Sequence, residues 1–142
     1  MRIIIIVITM FGALTTKSQV LPLKIEKIEV RYLPWAAKTP MNFTEEKLLD
    51  YQNKSINSKT LTDSVSLDNF SKIKFVRKDA ELKINTLDVR MLIMVYFSEN
   101  NYLTISLNSF KSYKFLDTYY KPSLEFMDWI NKNVTKCEMG YE

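Results

Sequence analysis

Leu87 to Asn108 constrains the fold of this chain more than any other segment. Leu87, Val89, Met91, Ile93, Val95 and Phe97 recur at every second position, which on a strand forms one wholly apolar face. Asp88, Arg90, Leu92, Met94 and Tyr96 form the opposite, mixed face. After Glu99-Asn100-Asn101, the residues Leu103, Ile105 and Leu107 alternate with Thr104 and Ser106. A period of two over this length requires a hairpin, and a hairpin with one apolar face requires something to cover it. A two-residue loop at Asn100-Asn101 would set Phe97 against Thr104 and Val95 against Ser106. A three-residue loop over Glu99 to Asn101 pairs Phe97 with Leu103, Val95 with Ile105 and Ile93 with Leu107, so burial selects the latter.

The remaining elements follow from the same patterns. Lys27-Ile28-Glu29-Val30-Arg31-Tyr32 alternates as a half-buried strand, stopped by Pro34. Thr44 followed by Glu45 and Glu46 is a helix start, with Phe43 and Leu48 at the spacing of a hydrophobic staple. Asn53 to Thr62 is polar and reads as loop, with room for a brief strand near Ile56. Leu67, Phe70, Ile73 and Val76 recur every three residues and predict an amphipathic helix over 64–78, capped by Asp63 or Ser66. A third strand is expected over Lys111 to Phe115, with Tyr113 and Phe115 inward. Pro122-Ser123 then opens a last helix reaching about Val134, buried through Phe126, Met127, Ile130 and Val134, with Trp129 at its margin. The order strand, helix, helix, hairpin, strand, helix is that of an α+β domain: a mainly antiparallel sheet with helices packed on one face.

The N-terminus addresses compartment rather than fold. Met1-Arg2, an uncharged apolar run from Ile3 to Leu14, and the small polar exit Thr15 to Gln19 have the order of a secretory signal peptide. The apolar run, at about 1.5 Å per residue, is too short for a ~30 Å hydrocarbon core, so stable membrane insertion is not expected. Cleavage is expected between Ser18 and Gln19, leaving 19–142 as one small domain released to the periplasm or the medium. Arg2 and Lys17 leave with the leader, which halves the formal charge of +4. The weak excess that remains, with no block of like charge, gives no reason to expect nucleic acid as a partner.

Composition removes several chemistries. The chain has no histidine and one cysteine, Cys137. A Ser–His or Cys–His pair is therefore impossible, as are an internal disulfide and a zinc site of His and Cys ligands. Cys137 is a tolerated free thiol or the donor of an intermolecular disulfide. Outside the leader the only glycine is Gly140, so glycine-rich phosphate loops and dinucleotide fingerprints are absent, and no cofactor is expected. Carboxylates remain the sole acid/base groups, and the spacing of Glu45, Glu46, Asp117, Glu125 and Asp128 marks no catalytic pair.

The candidate binding residues are few. Asp88 and Arg90 stand two apart on the mixed strand face, either as a structural ion pair or as a ligand-facing pair with Tyr96 beside it. Tyr119, Tyr120 and Trp129 could form a patch contacting protein or sugar, although strand and helix spacing sends most aromatics of this region inward. Trp35, in the apolar loop between Pro34 and Pro40, is either an interaction tip or a cover for the sheet edge. Asn42, Asn53, Asn69 and Asn133 begin N-glycosylation acceptor triplets, and Asp63-Ser64-Val65 matches a short O-glycosylation acceptor.

The Ser18-Gln19 exit, the short strand after it, Asp88-Val89-Arg90 opening an apolar hairpin and the terminal amphipathic helix give a layout that resembles small exported proteins of Bacteroidota. The resemblance implies export and carries no activity or functional residue. The function expected is an exported, non-enzymatic binding module, inhibitor- or immunity-like, whose partner is another protein, with a glycan as a further possibility. The alternative is a small carboxylate-based hydrolase of cell wall or glycan. A structural subunit assembling through an exposed strand edge is a third reading.

Overall fold

The computed structural model describes residues 24–35, 37, 42–73, 88–108, 112–115 and 118–135. The expected leader and cleavage site, Leu87, Lys111, Asp117, Cys137 and the expected helix end at 74–78 lie outside them. Strands β1 (Lys27–Tyr32), β2 (Asn57–Leu61), β3 (Val89–Ser98), β4 (Asn101–Asn108), β5 (Tyr113–Phe115) and β6 (Thr118–Tyr120) form one sheet in the order β2-β1-β3-β4-β5-β6. Every neighbouring pair is antiparallel. Among the described residues three helices accompany it: α1 (Glu45–Leu48), α2 (Ser64–Ser71) and α3 (Leu124–Asn133). The protein is thus α+β with an open antiparallel sheet.

The main core lies between one sheet face and helices α2 and α3. Ile28, Val30, Met91, Ile93, Val95, Ile105 and Leu107 point into it from the strands and meet Phe70, Phe126, Trp129 and Ile130. Both helices start as their sequences dictate: the Asp63 carboxylate accepts from Ser66 N at 2.8 Å, and Ser123 Oγ accepts from Phe126 N at 3.1 Å. Helix α2 is shorter than its periodicity suggests. It closes at Lys72, whose N–H bonds Asn69 O, while Ile73 leaves the helix and still reaches the core.

The polar stretch after Asn53 holds the strand β2, which pairs with β1 along its whole length. Only Leu61 of its five residues is buried, so its order comes from backbone pairing rather than from a hydrophobic face.

The hairpin register departs from expectation in two places. The chain reverses at Glu99-Asn100, with Ser98 opposite Asn101, and a bulge absorbs Phe97. Val95 therefore pairs with Leu103, Ile93 with Ile105 and Met91 with Leu107, two residues from the expected alignment. A second irregularity inserts Arg90 between Val89 (opposite Asn108) and Met91 (opposite Leu107). It throws Val89 to the other side of the sheet, so the apolar face of β3 is not continuous. Val89 packs instead with Leu33, Leu48, Ile56, Leu92 and Met94 in a second, smaller core. That core seats α1 on the face opposite α2 and α3.

Candidate functional site

The face that carries α1 is the polar one, and the register lays its side chains out in cross-strand rows. One row runs Lys27, Tyr96, Tyr102 across β1, β3 and β4. Another runs Arg31, Leu92, Ser106, Lys114, Tyr119 from β1 to β6. Helix α1 lies over the Arg31 to Ser106 part of the second row and leaves the first open, which divides the face into an exposed aromatic cluster and a half-open cavity at the helix edge.

The exposed cluster is held by interlocking contacts. Lys27 Nζ donates to Glu29 Oε1 at 2.8 Å, and the Tyr96 hydroxyl donates to Glu29 Oε2 at 3.1 Å. The same ammonium sits 4.2 Å from the Tyr96 ring centre, and the Tyr96 and Tyr102 rings lie 5.0 Å apart. Tyr102 itself is 49% exposed. Burial, and next the hydrogen bond to the Glu29 carboxylate, push the Tyr96 phenol up to about 12. The hydroxyl is therefore a proton donor at any physiological pH.

The covered part starts from the docking of α1. Thr44 Oγ1 caps the helix by accepting from Lys47 N at 3.3 Å, and Leu48 is fully buried. Arg31, 6% exposed, donates to the carbonyls of Leu48 and Asp50, where the helix dipole is negative, and stacks over Tyr51. From the other side Ser106 Oγ donates to Glu45 Oε1 at 2.7 Å, tying α1 to β4. Beside this tie is a cavity of about 300 Å³ lined by Glu45, Glu46, Ser106, Asn108, Lys114 and Tyr119, with Thr44 and Val89. Its wall offers carboxylate, hydroxyl, amide, ammonium and phenol groups. Glu45 and Glu46 are consecutive on one helical turn, a spacing at which side chains diverge, so they do not oppose each other as an acid/base pair across a bond.

Asp88 and Arg90 form an ion pair at 2.8 Å, with side chains only 16% and 11% exposed. Asp88 Oδ1 accepts from Phe43 N at 3.1 Å, and Arg90 Nη1 donates to Ala37 O at 2.8 Å. The pair thereby straps the segment before α1 to the start of β3. Tyr96 belongs to the exposed cluster. Tyr119, half-buried, lines the cavity, whereas Tyr120 is buried on the opposite face and stacks on Tyr113 at 5.1 Å. Trp129 is also core: its Nε1 donates to Ser66 O at 3.1 Å and its ring meets Phe70 edge-on at 4.7 Å. Trp35 is partly buried against the main core, and its Nε1 has no partner among the described residues. Tyr119, Tyr120 and Trp129 are therefore not brought to one surface.

Sequence reasoning did not single out Lys27, Glu29, Tyr102 or Ser106. Alternation places Lys27 and Glu29 on the polar face of β1, but only the pairing of β1 with β3 carries them to Tyr96. Among the described residues no group of three or more His, Cys, Asp or Glu side chains is arranged to hold a metal ion, and no helix is long and apolar enough to cross a membrane. No known protein family, curated protein or solved structure matches the chain, so its functional reading rests on its own side chains.

Proposed function

We propose that this chain is an exported, non-enzymatic binding module that recognises another protein, as an inhibitor or immunity protein does. The observation that carries the reading is the Lys27–Glu29–Tyr96–Tyr102 cluster. It joins two tyrosines and an ion pair across three adjacent strands, β1, β3 and β4, with one ring exposed. Protein interfaces concentrate their energy in aromatic anchors of this kind, because a pre-ordered ring loses little conformational entropy on binding. The acids best placed for chemistry have other duties: Glu29 holds Tyr96, Glu45 holds Ser106 and Asp88 holds Arg90.

The test is affinity capture from the cell envelope with the mature chain, comparing wild type with Tyr102→Ala. A genuine partner, once purified, should bind the variant about 30-fold more weakly, corresponding to about 2 kcal/mol. If no envelope protein distinguishes the two, the reading is wrong. Export is checked separately. Terminal sequencing of the mature form should begin at Gln19, and an intact Met1 on a cytosolic product contradicts it.

A further inference from the structure

We propose that the cavity beside α1 binds a neutral saccharide unit, an activity beyond protein recognition and located away from the tyrosine cluster. The first argument is the change in character of the sheet face. Under α1 it turns from Leu92 and Met94 to Ser106 and Asn108, which are 6% and 3% exposed. Packing alone favours apolar residues at such covered positions, since each buried polar group has to be matched by a hydrogen bond. Polar side chains here line a space instead of filling it.

The second argument is the order of that wall. The Glu45 carboxylate is fixed by Ser106 at 2.7 Å, and the Asn108 amide is fixed by Ser112 N donating to its Oδ1 at 3.0 Å. Lys114 and Tyr119 follow Ser106 directly across β5 and β6, at cross-strand steps of ~5 Å. A carboxylate has roughly four lone-pair positions and Glu45 uses one in that bond, so it can accept more. An ammonium and a hydroxyl supply donors nearby.

The third argument is the match to ligand chemistry. Every hydroxyl of a sugar both donates and accepts, so it needs both kinds of group in one wall. The C–H face of a pyranose packs on an aromatic ring, and Tyr119 supplies one. An anion would meet Glu45 and Glu46, whereas a polyol can use the carboxylates as acceptors and the Lys114 and Tyr119 groups as donors, so it engages both kinds of group in this wall. A volume of about 300 Å³ suits a single unit and not an extended chain.

The experiment is an amide-resolved NMR titration of the mature chain. The probes are the methyl glycosides of glucose, galactose, mannose and N-acetylglucosamine, with inorganic phosphate and ethylamine as charged controls. At least one glycoside should shift the Ser106, Asn108 and Tyr119 amides saturably. Tyr119→Ala and Glu46→Gln, each with an otherwise unchanged spectrum, should weaken it at least tenfold. Tyr102→Ala should bind the glycoside as wild type does, which keeps this result separate from loss of a protein partner. Retention on insoluble chitin or cellulose in addition would identify a polymeric glycan as the source, and glycoside binding alone a free sugar. The proposal is overturned if no glycoside saturates, if only phosphate or ethylamine binds, or if Tyr119→Ala binds undiminished.

Discussion

Arg90 sits where β3 carries one residue more than its neighbour β4, and that surplus turns its guanidinium back toward Asp88 and the Ala37 carbonyl. Removing one partner leaves the other charge shielded from water and unpaired, which is costlier than never having had the pair. Asp88→Ala is expected to lower unfolding stability by about 3 kcal/mol, and Arg90→Ala by a similar amount. Asp88→Ala/Arg90→Ala together should cost clearly less than the sum, because each single change already breaks the shared interaction. Urea denaturation of the four proteins measures this, and strict additivity would show that the two side chains act separately. Tyr96 makes a second prediction at this scale. Its phenol titrates at about 12 in the folded chain and near 10 when unfolded. Below pH ~10 both states keep the proton; between ~10 and ~12 only the unfolded chain releases it, so stability falls as pH rises through that window. The denaturation midpoint of wild type should therefore drop faster there than that of Tyr96→Phe. Glu29→Gln should bring the titration only part of the way back, since burial is the larger cause.

At the scale of elements, what could be read in the chain was whatever burial alone determines. Inward and outward positions of β1, β4 and α3 follow their periodicity, because a one-residue slip would expose a core face. Hairpin register did not, because a slip of two residues keeps every side chain on its own face. The alignment then depends on local turn energetics at Glu99-Asn100 and on the bulge at Phe97. Strand β2 was hidden for the complementary reason: Asn57 to Thr60 are exposed, and their order is borrowed from β1. Trp129 shows how two helices distant in sequence are joined. Its indole N–H satisfies the Ser66 carbonyl of α2, and Ser66 Oγ donates to Asn133 Oδ1 of α3. Trp129→Phe keeps most of the packing but removes this second bond to a carbonyl that α2 also uses, so a loss of about 1 kcal/mol is expected. Trp129→Ala also opens a void and should cost about 3–5 kcal/mol. Thermal or chemical unfolding with the substitution series checks the order; equal losses would mean that the hydrogen bond contributes nothing.

Across the whole molecule, the sheet separates two cores of unequal size, and the smaller lies on the face that also carries the tyrosine cluster and the cavity. The larger core binds α2 and α3 to all six strands except for the polar positions of β2, while the smaller rests on Leu33, Leu48, Ile56, Val89, Leu92 and Met94. Neither the cavity nor the tyrosine cluster could be read along the chain, because each joins residues from opposite ends of it: Glu45 with Ser106, Glu29 with Tyr96. Asp88, Arg90 and Tyr96 were visible as polar groups in an apolar strand, but their partners depend on how β1 and α1 dock. A small core over a large one also predicts a hierarchy of opening, since regions with few buried apolar groups unfold locally first. Leu48 is the main apolar anchor of α1, fully buried, and it shares that task with the Arg31 and Ser106 hydrogen bonds. Leu48→Ala should therefore raise amide exchange across residues 44–56 by ~30-fold or more, from a local cost of about 2 kcal/mol or above. Amides of Ile93, Val95 and Ile105, in the centre of the sheet, should still exchange through much rarer global opening. Hydrogen–deuterium exchange resolved by residue distinguishes the outcomes. If the Leu48→Ala substitution accelerates both groups by one common factor, α1 and the sheet open together, and the polar face is then as rigid as the core behind it.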